Sequence, residues 1–290
     1  MTKECALCKK NTKLEKSHII PKFIYKWLKK TSATGHLRFG QNPNRRVQDG
    51  FKEYLLCGDC EDLFNEWETE FAANIFHPYI AGKKKHLEYK QWFLKFAISL
   101  SWRALLFFKQ FGLTHFSKSQ QKEADKALEI WRHFLLGDIK QPGCYQQHFL
   151  PIDTISNKTV LGFPPNINRY LLRSIHIDPI ANSHQALIYI KMPYFIFLGG
   201  IQIKPKQWKN TLIHVNKGLI ESKRYVVPAI IGEYISEKAK RVNTIQKGMS
   251  ERQKKKIAKK IGENLDKFVN SETFRAMKAD VELFGFKAVE

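Results

Sequence analysis

The sequence predicts an α+β fold with four parts: a metal-stapled N-terminal module, a helical connection, an antiparallel sheet and basic C-terminal helices. Three observations carry this expectation. Two Cys-x-x-Cys pairs, Cys5–Cys8 and Cys57–Cys60, bracket the start of the chain. Apolar residues recur at helical spacing from Leu63 to Ile75, and residues 89–140 read as two further helices. Short β-rich runs bounded by proline, glycine and asparagine then occupy residues 141–228. These changes of texture place boundaries at 1–88, 89–140, 141–228 and 229–290. The last three parts are also readable as one domain.

Within 1–88, Pro21 suits the first position of a short helix, where a missing N–H costs nothing. Phe23, Ile24, Trp27 and Leu28 give that helix one apolar face. Thr31 to Gly50 is polar and rich in turn residues. Glu53-Tyr54-Leu55-Leu56 leads extended into the second cysteine pair. A helix follows, with Leu63, Phe64, Trp67, Phe71 and Ile75 on one side.

Residues 89–140 read as two helices. The first, Gln91 to Phe111, is long and apolar enough to suggest a membrane span, but Lys95 and Arg103 lie inside it. A charge at bilayer depth is costly, so a buried core helix is expected instead. The second opens on the capping box Ser117-Lys118-Ser119-Gln120 and ends near Gly137. In 141–228 strands are expected at 174–177, 186–190, 194–198, 211–215 and 225–227, separated or flanked by turns such as Asp178-Pro179 and Gly199-Gly200. This β-rich part carries no recognisable motif and could be a sensor, a dimer surface or a partner-docking domain. A second capping box, Ser250-Glu251-Arg252-Gln253, opens a basic helix.

Lys and Arg number 49 against 27 Asp and Glu, a formal charge of +22. That excess calls for a polyanionic partner. Nucleic acid comes first and an anionic membrane surface second. Between 238 and 267 eleven Lys or Arg face three acids. Lys254, Lys255, Lys256, Lys259 and Lys260 would track phosphates without reading sequence, or would form a solvated face. Arg45 and Arg46, between the cysteine pairs, are the other candidate nucleic-acid contacts. Met1 to Glu4 runs directly into the first cysteine motif with no apolar leader, so a cytoplasmic protein without a transmembrane segment is expected.

Paired cysteines in such a protein mean metal, not disulfide. Each Cys-x-x-Cys sets two thiolates on one turn, and two such turns supply the four-sulfur tetrahedron that zinc prefers. A closed site of this kind is structural, because no coordination position is left open. Cys8 and Cys57 are separated by 48 residues, so the knuckles must meet across an inserted unit.

That unit begins Leu14-Glu15-Lys16-Ser17-His18-Ile19-Ile20-Pro21. With Cys5 and Cys8 before it and Leu55-Leu56-Cys57-Gly58-Asp59-Cys60 after it, it resembles the HNH, or ββα-metal, nucleases over about residues 5–70. The resemblance implies a ββα-like module and metal-dependent hydrolysis of DNA or RNA. His18 would be the general base, and Mg²⁺ or Mn²⁺ would serve beside the structural zinc. The chain departs from the family pattern at three places. Ser17 stands where an acidic ligand is usual. Glu61 stands where a histidine often follows the second knuckle. The family's asparagine has no counterpart, and Asp49, Asn44 and Asn42 are the nearest polar residues.

Read from the residues alone, His18 could instead be a buried structural histidine or a ligand in a reshuffled zinc site. Asp59, Glu61 and Asp62 fit a helix N-terminus by its dipole. Glu61, Asn65 and Glu68 share one helical face, as a metal site would need. The alternative to a nuclease is a non-catalytic zinc protein that binds nucleic acid, or a regulatory or scaffold protein whose β-rich part binds another protein.

Overall fold

A computed structural model of the chain describes residues 2–82, 86–157, 162–221 and 223–289. It is α+β, as the sequence predicts. Lys3–Glu4 pairs with Asn11–Thr12 around the first cysteine turn, and Glu15–His18 pairs antiparallel with Lys52–Leu56. The knuckle helix Gly58–Phe71 follows at once and continues through a π turn, Ala72–Phe76, into His77–Ile80. Two strands and a helix therefore sit side by side, with Ala6 N–H donating to Leu55 O at 2.9 Å to fasten the first knuckle to the second strand.

Pro21 is the N-cap of the helix Lys22–Lys30, one position earlier than expected, and Ile24 and Leu28 are buried on its inner face. The polar stretch after it is more ordered than its composition suggests. Leu37–Phe39 and Asn42–Val47 form a hairpin, closed by the Arg38 guanidinium donating to Pro43 O at 2.6 Å.

The helix Gln91–Lys109 lies at the centre of the molecule, buried over most of its length. Phe96 stacks on Phe71 at 4.3 Å, and Phe93 meets Phe149 edge-on at 5.1 Å, so it joins the knuckle helix to the sheet. No helix among the described residues is long and apolar enough to cross a membrane. The neighbouring helix Lys118–Leu136 shows both halves of the Ser117–Gln120 capping box and ends on Gly137 in the left-handed region, at φ 90°.

The main sheet is antiparallel, in the order Gln147–Pro151, Phe195–Gln202, Ala186–Met192, His176–Ala181. Two expected breaks fall inside strands. Asp178-Pro179 lies within His176–Ala181, an edge strand, where a residue without an N–H is tolerated. Gly199 lies within Phe195–Gln202 because a Cβ there would overlap the Ser101 side chain of the central helix. Two expected strands, 211–215 and 225–227, are reduced to isolated bridges at Leu212 and Val226. Lys217–Ile220 instead pairs with Leu87–Lys90.

The C-terminal part is helical: Ala229–Lys247, Glu251–Gly262, Leu265–Val269 and Glu272–Phe284. The capping box expected at Ser250 is absent. Gln253 is 3.5 Å from the Arg38 guanidinium, and Ser250 N–H donates to Asn44 Oδ1 at 2.9 Å, so these groups tie the helix to the hairpin. One continuous buried cluster runs from Cys5 to Ala276.

Candidate functional site

The four cysteines converge. Their sulfurs all lie within 4.8 Å of one another, and Cys8 Sγ to Cys57 Sγ is 3.7 Å. A tetrahedron with metal–sulfur bonds of about 2.3 Å has edges of about 3.8 Å, so this spacing suits one shared ion. The first pair sits on a tight turn in which Lys9 takes a positive φ of 65°. The second sits at the start of the knuckle helix, with Cys57 as its N-cap. Cys57 N–H donates to Cys5 Sγ at 3.3 Å, joining the turns.

The thiols are set up for a cation. Burial opposes the Cys5 thiolate, but the amides of Cys8, Cys57 and Leu7 outweigh it and bring the thiol down to about 7. Burial, the Cys57 thiol and the charge on Cys5 then push Cys60 up. Sulfurs this close could ionise together only with a positive ion among them, and that is the chemistry of a metal centre. The fifth cysteine, Cys144, is exposed and outside it.

The pairing of Glu15–His18 with Lys52–Leu56 brings His18 beside the segment that precedes the second strand. His18 Nε2 lies 2.8 Å from Asp49 Oδ2, and Lys52 Nζ lies 2.9 Å from the same oxygen. Asp49 Oδ1 accepts from Gly50 N–H at 3.0 Å. Burial works against the Asp49 charge, yet the bonds from His18, Lys52 and Gly50 prevail and hold the carboxyl down at about 2. An ionised carboxylate only accepts, so Nε2 carries the hydrogen of this bond. Nδ1 is then the basic nitrogen, and no hydrogen bond reaches it among the described residues.

Gly50 cannot be larger without disturbing this corner, because a Cβ there would overlap the ring of Tyr25. That buried tyrosine packs 6.4 Å from the His18 imidazole, ring to ring.

The residues flanking His18 differ from the expected metal site. Ser17 is fully buried and donates to Glu61 Oε2 at 2.7 Å. Glu68 is taken by Arg103, whose Nη2 lies 2.8 Å from Glu68 Oε1. Arg103 also donates from Nη1 to His18 O at 2.9 Å and from Nε to Ser99 O at 3.2 Å. Asn65 is exposed. Thus the face expected to offer Glu61, Asn65 and Glu68 to one ion instead gives one carboxylate to Ser17 and another to Arg103. Among the described residues, the only group of three or more convergent His, Cys, Asp or Glu ligands is the cysteine set.

Sequence reasoning missed Arg103 as part of this site. The signal was present: a charge within an apolar helix requires a buried partner, and Glu68 on the preceding helix is that partner.

The candidate nucleic-acid residues fall together in part. Arg46 lies opposite Arg38 in the hairpin, and the Arg45 guanidinium sits 5.5 Å from the Phe39 ring. Burial, and then the charges of Arg46, Lys260 and Arg38, lower the pKa of His36, so the tip of the basic helix shares a field with the hairpin. Lys254 is partly engaged with Glu251 at 2.8 Å and Lys259 with Glu263 at 3.8 Å. No partner within ion-pair distance is found for Lys255, Lys256 or Lys260 among the described residues.

The Asp49 geometry has a pH signature. Its folded value lies below the ordinary 3.8, so its contribution to stability is complete above that value and disappears as pH falls through about 2. Asp49→Asn should therefore be less stable than wild type at pH 6, and the gap should close on acidification between pH 4 and pH 2. Urea unfolding at stepped pH checks this, and a gap that does not change with pH would contradict it.

No family model, no curated protein and no solved structure matches this chain.

Proposed function

We propose that the protein is a zinc-stapled, HNH-like endonuclease that hydrolyses phosphodiesters of nucleic acid, with His18 as general base. The observation that carries this reading is the His18–Asp49 bond, built on two strands and a helix whose ends are gathered by four cysteines. Zinc is the ion that a four-thiolate set of this spacing fits.

Asp49 fixes the imidazole and stabilises the cation it becomes, as carboxylate–histidine pairs do elsewhere. His18 Nδ1 takes a proton from a water as its oxygen bonds to phosphorus. The bond from phosphorus to the leaving sugar oxygen breaks, and solvent protonates that oxygen. Lys52, bonded to Asp49, adds positive charge close to where phosphate would sit.

The Mg²⁺ or Mn²⁺ that the resemblance implies finds no protein cage here, because the nearby carboxylates are each engaged. Asp49 is held by His18, Lys52 and Gly50, and Glu61 by Ser17, so the residues present do not form a site for that ion and no step is routed through it.

The engaged carboxylates and the buried Ser17 favour a second reading, a non-catalytic zinc protein that binds nucleic acid. One experiment separates the two. Folded, zinc-loaded protein is incubated with supercoiled plasmid and with RNA, in Mg²⁺, Mn²⁺ or EDTA, and binding is measured on the same samples. Nicking or RNA cleavage is the expected result. Binding without cleavage of either substrate would remove the nuclease reading and leave the binder.

A further inference from the structure

Phe51 is 48% exposed and Phe111 is 67% exposed. Single exposed apolar residues are ordinary, but these two belong to one row. From the hairpin outward, the Arg45 guanidinium lies 5.5 Å from Phe39, and Phe39 lies 6.3 Å from Phe51. Phe51 lies 5.1 Å from Phe107, and Phe107 lies 5.1 Å from Phe111. Of the row only Phe107 is buried, and it anchors the row to the central helix.

The row is fixed to the candidate catalytic corner. Phe51 follows Asp49-Gly50, and its carbonyl accepts from Ile19 N–H at 3.1 Å, one residue beyond His18. Its hairpin end is bordered by cations, since Arg38 and Arg46 are register partners and Lys260 acts on the same His36.

The rings meet edge-on or tilted, at 79°, 35° and 64° along the row, and exposed aromatic side chains beside a cationic border are what an unpaired strand needs. Bases stack on rings whatever their identity, and phosphates follow the positive charge. A duplex buries its base faces and cannot use the rings. We propose that this row is a stacking platform for unpaired bases, and that the substrate class at His18 is single-stranded nucleic acid. The proposal rests on the nuclease reading for the word substrate, but the binding itself does not.

The test measures affinity of the full, zinc-loaded chain for a labelled oligothymidylate and for a duplex of matched length, at one salt concentration, by anisotropy. Phe51→Ala and Phe111→Ala are each expected to weaken single-strand binding about tenfold, in line with the loss of one base–aromatic stack. Duplex binding, set by phosphate contacts, should stay as in wild type, and Phe51→Trp should preserve single-strand binding. Unchanged single-strand affinity in both alanine variants would overturn the platform, as would equal losses on single strand and duplex. Binding to anionic vesicles but to neither nucleic acid would also overturn it. Cleavage on the same samples keeps the two readings apart. Phenylalanine-dependent binding by a protein that cuts nothing supports the platform and removes the nuclease. Cutting that ignores both alanine substitutions does the reverse.

Discussion

Cys57→Ser is expected to release the metal ion and to unfold the module that holds His18. Among the described residues the two knuckles are joined directly by Ala6 N–H to Leu55 O, Cys57 N–H to Cys5 Sγ and the Cys8–Cys57 thiol contact, besides their buried packing. Structural zinc is worth about 10–16 kcal/mol in small zinc-binding peptides, as much as the whole stability of a typical domain. Serine leaves three sulfurs and an oxygen that does not ionise at neutral pH. Metal content by mass spectrometry should fall from one ion per chain to well below one. Hydrogen exchange should lose protection first in Glu15–His18 and Lys52–Leu56, while the main sheet stays protected for longer. Chelation of wild-type protein should give the same pattern. A variant with full metal content and unchanged protection would contradict the metal assignment.

Arg103→Ala should be the most damaging single change away from the cysteines. The guanidinium is 1% exposed, pairs with Glu68 and supports the His18 carbonyl. Removing one partner of a buried pair typically costs about 3–5 kcal/mol, because the other charge is stranded. The pH dependence identifies the stranded group. Burial already pushes the Glu68 carboxyl above its ordinary 4.5, and Arg103 offsets part of that rise. Without Arg103 the rise grows, and a carboxyl raised on folding costs stability as pH climbs past its unfolded value. The variant should therefore lose more stability at pH 8 than at pH 5, measured by urea unfolding. Adding Glu68→Gln should restore part of the loss at pH 8. An Arg103→Ala loss that is the same at both pH values would show that Glu68 is not the cause.

Much of the architecture was legible because it is local. The Ser117–Gln120 capping box, the helical stripe of Phe64, Trp67 and Phe71, and the two knuckles are each specified by residues a few positions apart. The strands at 211–215 and 225–227 were not, because β-propensity there is overruled by which backbone finds a partner, and Lys217–Ile220 found Leu87–Lys90 instead. The same division runs through the site. His18 and the cysteines were marked by motif. The two contacts that define their surroundings, the Ser17–Glu61 hydrogen bond and the Arg103–Glu68 ion pair, join residues far apart in sequence. Asp49 was one of several polar candidates near the second strand, and only the antiparallel register of Glu15–His18 with Lys52–Leu56 brings it to the imidazole. Gln253 shows the converse: a local capping motif that is not formed, its side chain lying instead 3.5 Å from the Arg38 guanidinium.

In the proposed function, His18, held by Asp49, activates water for phosphodiester cleavage. Single-turnover cleavage by His18→Ala, with zinc content and nucleic-acid affinity confirmed equal to wild type, tests it most directly. General-base catalysis typically supplies a factor of about 10²–10⁴, so the variant should cut at least about a hundredfold more slowly while binding as tightly. Asp49→Asn should fall between the two. A His18→Ala protein that binds and cuts at the wild-type rate would contradict the account.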